Sequence, residues 1–423
     1  MSVNSTGPSN QPADQEALKP AWRANLLAVV AVILVGLNLR MGIASASPLF
    51  HDLQELMGYG TFVASLLPTI PVLCFAVAGA ATSTVLRRTG LELGIALSLL
   101  MLAAGLALRV ADSTWALLGG TVVGMCGLAV CNVAMPSFIR QYHGNRAASM
   151  TAAYTTTMSI GATLASSISV PLAAKAGSPT TALALWAIPA FMALLVFIPL
   201  AFSSKRATVS PGAHVSPWAL LATRKGLLFT TVFGIQSLLV YTVVSWLPHI
   251  LISRGLEPVT AGLMLGIVQG VSILAVLAVL WMASKPGLQR AAFVLTASCS
   301  VLGFTALLFL PVELSLLTSL LIGLGFGVFP LVMLMLSRSG GSAEETTALS
   351  TVAQSVGYLI AAIGPFALGI MQGALGSWTT GLVIILACAV VQLLFCYKLG
   401  GLRQDHESRH LVEVDAASEE GQA

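Results

Sequence analysis

An all-α membrane protein, with twelve transmembrane helices in two six-helix pseudo-repeats, is the fold class this sequence predicts. Composition, span lengths and the sidedness of charge converge on it. Of the 423 residues, 57% are hydrophobic and 9% charged, and the mean hydropathy is +0.91. Soluble domains carry about 25% charged residues, so 20 Lys+Arg and 16 Asp+Glu cannot clothe a water-soluble fold of this size. A cytosolic enzyme, a nucleic-acid binder and a disordered regulator are excluded. The apolar residues fall in runs of about 20, the length of a helix that crosses a bilayer. They lack the period-2 polar alternation of an outer-membrane barrel.

The runs lie at approximately 24–49, 61–86, 91–110, 115–139, 149–172, 181–202, 227–252, 259–283, 288–310, 314–336, 346–371 and 378–399. The first follows a polar, Pro/Ser/Asn-rich tail (1–22) that is expected to be disordered. Ala44-Ser45-Ala46 resembles a signal-peptidase site, but the apolar run before it is too long for a signal peptide, and no cleavage is expected. Pro68, Pro71, Pro136, Pro330 and Pro365 mark expected kinks. The polar connection 203–226, with Lys205, Arg206, Pro211, Pro217, Arg224 and Lys225, separates an N-terminal bundle (23–202) from a C-terminal bundle (227–399). The charged tail 400–423 is expected to be disordered. Cys74, Cys126, Cys131, Cys299, Cys388 and Cys396 sit within spans without ligand spacing and read as small packing residues.

Sixteen of the 20 basic residues fall in the tails or even-numbered connections; Arg109, Lys175 and Arg254 fall opposite, and Arg40 lies inside a span. The positive-inside rule then puts both termini in the cytoplasm. The halves also echo one another. Ser45-x-x-Pro48 recurs as Ser245-x-x-Pro248, Arg88-Thr-Gly90 as Lys285-Pro-Gly287, Gly127 with Arg140 as Gly325 with Arg338, and Ser159-Ile-Gly161 as Ser355-Val-Gly357, at offsets of 196–200 residues. Two parallel six-helix halves with a site between them at mid-depth are a transporter architecture.

Local strings carry a resemblance. Gly36-Leu-Asn-Leu-Arg40, Ser47-Pro-Leu49, Leu66-Leu-Pro-Thr-Ile-Pro-Val-Leu73, Ala134-Met-Pro-Ser-Phe-Ile-Arg140, Ser245-Trp-Leu-Pro248, Gly323-Leu-Gly-Phe-Gly-Val-Phe-Pro330 and Ala353-Gln-Ser-Val-Gly-Tyr358 resemble the cyanate/nitroimidazole (CynX/NimT-type) transporters of the major facilitator superfamily. The resemblance covers nearly the whole helical body. It implies a small-solute permease and suggests cyanate-like anions or nitro-heterocycles as cargo. One departure stands out: the superfamily's loop between helices 2 and 3 carries an Asp, whereas here Leu86 precedes Arg87 and Arg88. These arginines either gate by meeting carbonyls at a helix C-terminus or serve as positive-inside anchors.

Arg40 is the one charge read as intramembrane. An Arg at the centre of a span costs about 2.5–3.5 kcal/mol on insertion scales and faces a bundle interior or a water-filled cavity. The acidic residues fall in tails, loops or at span borders, Glu92 among the border residues, and none lies deep in a span to neutralise it. Its partners are therefore carbonyls, amides, water or an anionic substrate, which its planar fork suits. A snorkelling or carbonyl-capping Arg is the competing reading. Gln354 and Tyr358 share a helix face with Ser350; Tyr154 and Met158 form a similar stripe; Gln236 and Tyr241, Gln269 and Asn132 complete the substrate-binding candidates. Each of these either lines the cavity or bonds neighbouring helices. His249, after Pro248, is a candidate gate residue or an interfacial histidine.

The function that follows is transport of a small anionic solute, cyanate-like or a small organic anion, across a bacterial inner membrane. Alternating access is the expected mode, either secondary active or facilitative. An exporter of nitro-heterocycles or other drugs, with Arg40 structural, is the alternative. An intramembrane enzyme would need nucleophiles, carboxylates or metal ligands clustered at membrane depth, and a sensor an appended soluble domain; the sequence shows neither. There is no G-x-x-x-x-G-K-[ST] loop, so this chain does not use ATP, and no cofactor or metal is expected. The expected partners are the small solute and the lipid bilayer, not nucleic acid, and the chain is expected to act as a monomer.

Overall fold

The computed structural model describes residues 13–203, 217–285, 287–337, 339 and 343–420, which form helices joined by short turns with no strand among them. The twelve spans are α1 (Ala13–Ala44), α2 (Thr61–Leu66 and Ile70–Thr89), α3 (Leu91–Leu108), α4 (Thr114–His143), α5 (Ala147–Ala176), α6 (Pro179–Leu185 and Ala187–Ser203), α7 (Arg224–Ser253), α8 (Pro258–Ala283), α9 (Leu288–Phe309), α10 (Ser315–Gly325 and Val328–Ser337), α11 (Ala343–Leu375) and α12 (Thr379–Glu420). Among the described residues eleven segments are long and apolar enough to cross a bilayer. Joining the two pieces of α2 completes twelve. Odd-numbered helices run from the face where α1 begins, here the near face, to the far face.

The interruptions have a chemical cause. In α2, Pro68 and Pro71 supply no N–H, and the chain tightens to an i→i−3 bond from Thr69 to the Leu66 carbonyl, 2.9 Å. In α10, Phe326, Gly327 and Phe329 all bond at i→i−3 just before Pro330. Pro136 and Pro365, by contrast, sit inside unbroken helices. The first span stops at Ala44, short of the expected 49. Ser47–Leu49 then forms a 3-10 turn, and a short helix, Phe50–Met57, ends at Gly58 with φ 64°, the left-handed conformation that glycine adopts without strain.

Two boundaries differ from the sequence expectation. Helix α1 begins at Ala13, inside the segment 1–22, and α12 continues past Gly400 to Glu420. A helix already nucleated propagates at one bond per residue fixed, and the Glu, Arg, His and Ala of 402–420 offer it no proline. Residues 1–12 and 421–423, together with Lys205, Arg206, Pro211 and Arg338, lie outside the described residues.

The sequence echo has a packing counterpart. A Cβ on Gly161 of α5 would overlap the Leu37 carbonyl of α1, and one on Gly357 of α11 would overlap the Phe233 ring of α7. The two glycines, 196 residues apart, let α5 approach α1 and α11 approach α7 in the same way, as small residues do between membrane helices. Across the halves, α2 packs on α11 and α5 on α8. The outward faces carry exposed Leu97, Leu100, Leu277 and Leu302, a surface suited to lipid. All six cysteines are free thiols.

The charge census needs one correction. Arg109, counted on the far side at the end of the 91–110 run, is 2% exposed and donates from Nη1 to the Gly42 carbonyl of α1 at 3.2 Å. Arg40 is therefore not alone: a second cation is withdrawn into the protein where α3 ends. Glu92, read as bordering a span, is also buried, accepting from Gln141 Nε2 at 2.8 Å and from the Tyr142 hydroxyl at 3.1 Å.

Candidate functional site

Helix α1 is held so that Arg40 faces the interior. One turn before it, Gly36 lies against Thr157 and the Tyr154 carbonyl of α5, with no room for a Cβ. Asn38 donates from Nδ2 to Leu34 O at 2.8 Å and to Pro189 O of α6 at 3.0 Å. These contacts fix the rotation of α1 and leave Arg40 half-buried, within electrostatic reach of the phenols of Tyr154, Tyr241 and Tyr358. The three tyrosines come from α5, α7 and α11, so the cation sits between the halves.

An aromatic wall backs the cluster. Phe75 of α2 stacks on Tyr358 at 5.3 Å and 28° and lies 6.2 Å from Tyr241; Phe233 of α7 meets Tyr358 edge-on at 5.2 Å. Such offset and edge-to-face pairs are favourable beyond their area. Tyr241 and Tyr358 meet edge-on, their ring centroids 6.2 Å apart. The Tyr154 hydroxyl is buried without a partner. A guanidinium beside an unspent phenol donor, with aromatic faces and no carboxylate among the described neighbours, can hold a small anion or a polarised planar group.

The remaining sequence candidates divide. Gln354 lies one turn from Tyr358 and donates to Ser350 Oγ at 2.9 Å. Gln269 of α8 is buried with its Nε2 unpartnered. Asn132 is half-buried on α4. Gln236 takes the helix-bonding alternative: its Oε1 accepts from Gln392 Nε2 of α12, a buried amide pair that joins α7 to α12. Arg87 and Arg88 are exposed on the last turn of α2, and Arg87 donates to the hydroxyl of Thr84 in its own helix at 3.2 Å, not to a carbonyl of another helix.

His249 packs into an aromatic group at the far face, 5.8 Å from His51, 5.8 Å from Trp246 and 5.5 Å from Trp378. It belongs to a seam between the halves. Ser47 donates to the Ser245 carbonyl at 2.9 Å, Thr163 donates to the Gly266 carbonyl at 3.3 Å, and Phe62 meets Phe366 at 6.0 Å. The Ser47–Ser245 and Phe62–Phe366 contacts lie beyond the Arg40 cluster, past the end of α1 and at the start of α2, so the far face is closed. Sequence reasoning missed Phe75, Phe233 and Asn38 because apolar or amide residues in a span give no signal of which face they occupy.

The sequence pattern of the Major Facilitator Superfamily matches residues 29–365. The chain belongs to that superfamily and is a multi-pass membrane transporter, not an enzyme. Within the superfamily it falls in the cyanate/nitroimidazole branch. It is 30% identical over 371 residues to the 2-nitroimidazole transporter of Escherichia coli (strain K12), spanning 88% of this chain and 94% of that one. It is 24% identical over 377 residues to the Escherichia coli cyanate transport protein CynX, spanning 89% and 97%. An uncharacterised transporter of Bacillus subtilis (strain 168), YycB, is 31% identical over 366 residues, spanning 86% and 90%. The fold is shared with the nucleoside transporter NupG (TM-score 0.70, 13% identity, 89% and 98% covered) and with a D-xylose-proton symporter (0.71, 13%, 89% and 97%).

Proposed function

We propose that the protein moves a small anionic or strongly polarised solute across a bacterial inner membrane by alternating access, with the bundles 23–202 and 227–399 as the moving bodies. The positive residues of the tails and even connections support a cytoplasmic near face, with both termini on that side. With the far seam shut, the Arg40 cluster is poised toward the cytoplasm. One chain supplies every helix around the site, so a monomer suffices.

The observation that carries this reading is Arg40, a cation between the halves faced by three phenols and by no described carboxylate. Its planar fork matches two oxygens in one plane. Cyanate is a small linear anion, and a nitro group presents a coplanar oxygen pair, so one Arg–Tyr154 site accommodates the ligands named for both relatives. Gln354, Gln269 and Asn132 would read the remainder of the solute. A second reading, export of nitro-heterocycles with Arg40 structural, draws on the Phe75–Tyr358–Phe233 wall, which offers a stacking face. Arg40→Ala decides between them. In calorimetry with cyanate and 2-nitroimidazole, loss of binding by a folded variant supports the anion site, and Arg40→Lys should rescue it poorly. Unchanged affinity would move the site to the aromatic wall.

A further inference from the structure

We infer that the pocket around Arg109 is a binding site for a monovalent anion of halide size, separate from the Arg40–tyrosine cluster. Arg109 caps α3 and is fully buried. A guanidinium carries five N–H donors; here Nη1 meets the Gly42 carbonyl and Nε has no partner. The acid nearest in sequence, Asp112, is taken by the Thr180 hydroxyl at 2.7 Å, and no carboxylate pairs with Arg109 among the described residues. A buried cation left this way is costly unless a counter-charge reaches it.

The space for one is present. A cavity of about 20 Å³ adjoins Arg109, lined also by Gly42, Ala46, Ser47, Phe50 and Thr121. That is room for a single water-sized group, which suits a halide and excludes a heterocycle. Two rim hydroxyls are already committed, Ser47 to the Ser245 carbonyl and Thr121 to the Leu117 carbonyl at 2.6 Å. The donors left are those of Arg109 and the hydroxyl of Ser245, which also lines the space; no carboxylate does, so the site selects an anion over a cation. It lies directly beneath the Ser47–Ser245 bond, where an occupant would favour the closed far face. The inference stands independently of what Arg40 binds.

The test is thermal unfolding of the full-length protein in detergent, titrated with sodium bromide against sodium gluconate at constant ionic strength. Bromide should raise the unfolding temperature saturably, as a ligand of the folded state does. The rise should vanish in Arg109→Gln and persist in Arg40→Gln. Ala46→Leu keeps Arg109 and fills the cavity, so it should abolish the rise even if Arg109→Gln does not fold. Absence of a saturable rise in the wild type, its survival in Ala46→Leu, or its loss in Arg40→Gln would each overturn the inference.

Discussion

The Ser47 hydroxyl donates to the Ser245 carbonyl at 2.9 Å, and the two residues, 198 apart, belong to opposite six-helix halves. Ser245 opens the Ser-x-x-Pro string that Ser45 opens in the first half, and Ser47 lies two residues past Ser45, directly before Pro48. The bond closes the far face at the pseudo-symmetry seam, so its removal should change an equilibrium between conformations more than it changes folding.

Ser47→Ala should therefore raise the far-open population. A neutral hydrogen bond contributes about 0.5–1.5 kcal/mol net, which corresponds to an increase of roughly twofold to tenfold. The check is the rate at which a membrane-impermeant maleimide labels Ala46→Cys from the far face with and without the second substitution. Equal rates would show that the aromatic group around His249 holds the seam alone.

How much of this was legible in the sequence follows from what periodicity can and cannot encode. Composition and charge sidedness declare the twelve spans, since a bilayer demands them whatever the helices then do. The Gly161 and Gly357 echo, read in the sequence as a mark of duplication, falls where α5 meets α1 and where α11 meets α7. The orientation of a polar residue within an all-apolar helix is another matter. Gln236 and Gln269 look alike in sequence, yet one bonds Gln392 and the other is left with a free donor, because neighbours far away in the chain decide. Arg109 misled for a related reason: an arginine at the end of an apolar run reads as a charge at the membrane border, and only the α1 carbonyl that it reaches reveals it as buried.

Tyr154 and Tyr358 should separate binding from stability. The Tyr154 hydroxyl is buried without a partner, so Tyr154→Phe removes an unsatisfied group and should leave the unfolding temperature unchanged or higher. If that hydroxyl donates to a charged ligand, affinity should fall by about 1.5–3 kcal/mol. Tyr358→Phe keeps the ring contacts with Phe75, Phe233 and Tyr241, so it should lower affinity while leaving the unfolding temperature nearly unchanged. Calorimetry beside thermal unfolding measures the two quantities, and a Tyr154→Phe variant with wild-type affinity would remove Tyr154 from the site.

For Gln236 the expectation is the reverse. Gln236→Ala and Gln392→Ala should each destabilise, with a coupling in a double-mutant cycle of about 0.6–1.7 kcal/mol, the range seen for hydrogen bonds between membrane helices. Ligand affinity should not move in either variant. A loss of affinity confined to Gln236→Ala would return this residue to the ligand-facing set.

The last prediction concerns energy coupling. A proton carrier needs a group at membrane depth whose protonation changes at working pH, most often a carboxylate or histidine. Arg40 and Arg109 cannot serve, since arginine stays protonated. The acids sit at span borders, Glu92 among them, where its carboxylate is held by Gln141 and Tyr142 near the near-face ends of α3 and α4. We expect that no mid-depth carboxylate carries a proton, and that any pH dependence arises from the solute, from His249 or from a border carboxylate. Proteoliposomes with an imposed pH gradient, and a solute that does not titrate between about pH 5 and 8, give the direct measurement. Flux that follows only the solute gradient marks a uniporter or exchanger. Strong accumulation driven by protons and surviving His249→Gln would sink the idea and direct attention to Glu92, Glu55 and Glu313, whose Gln variants would then be compared for loss of drive.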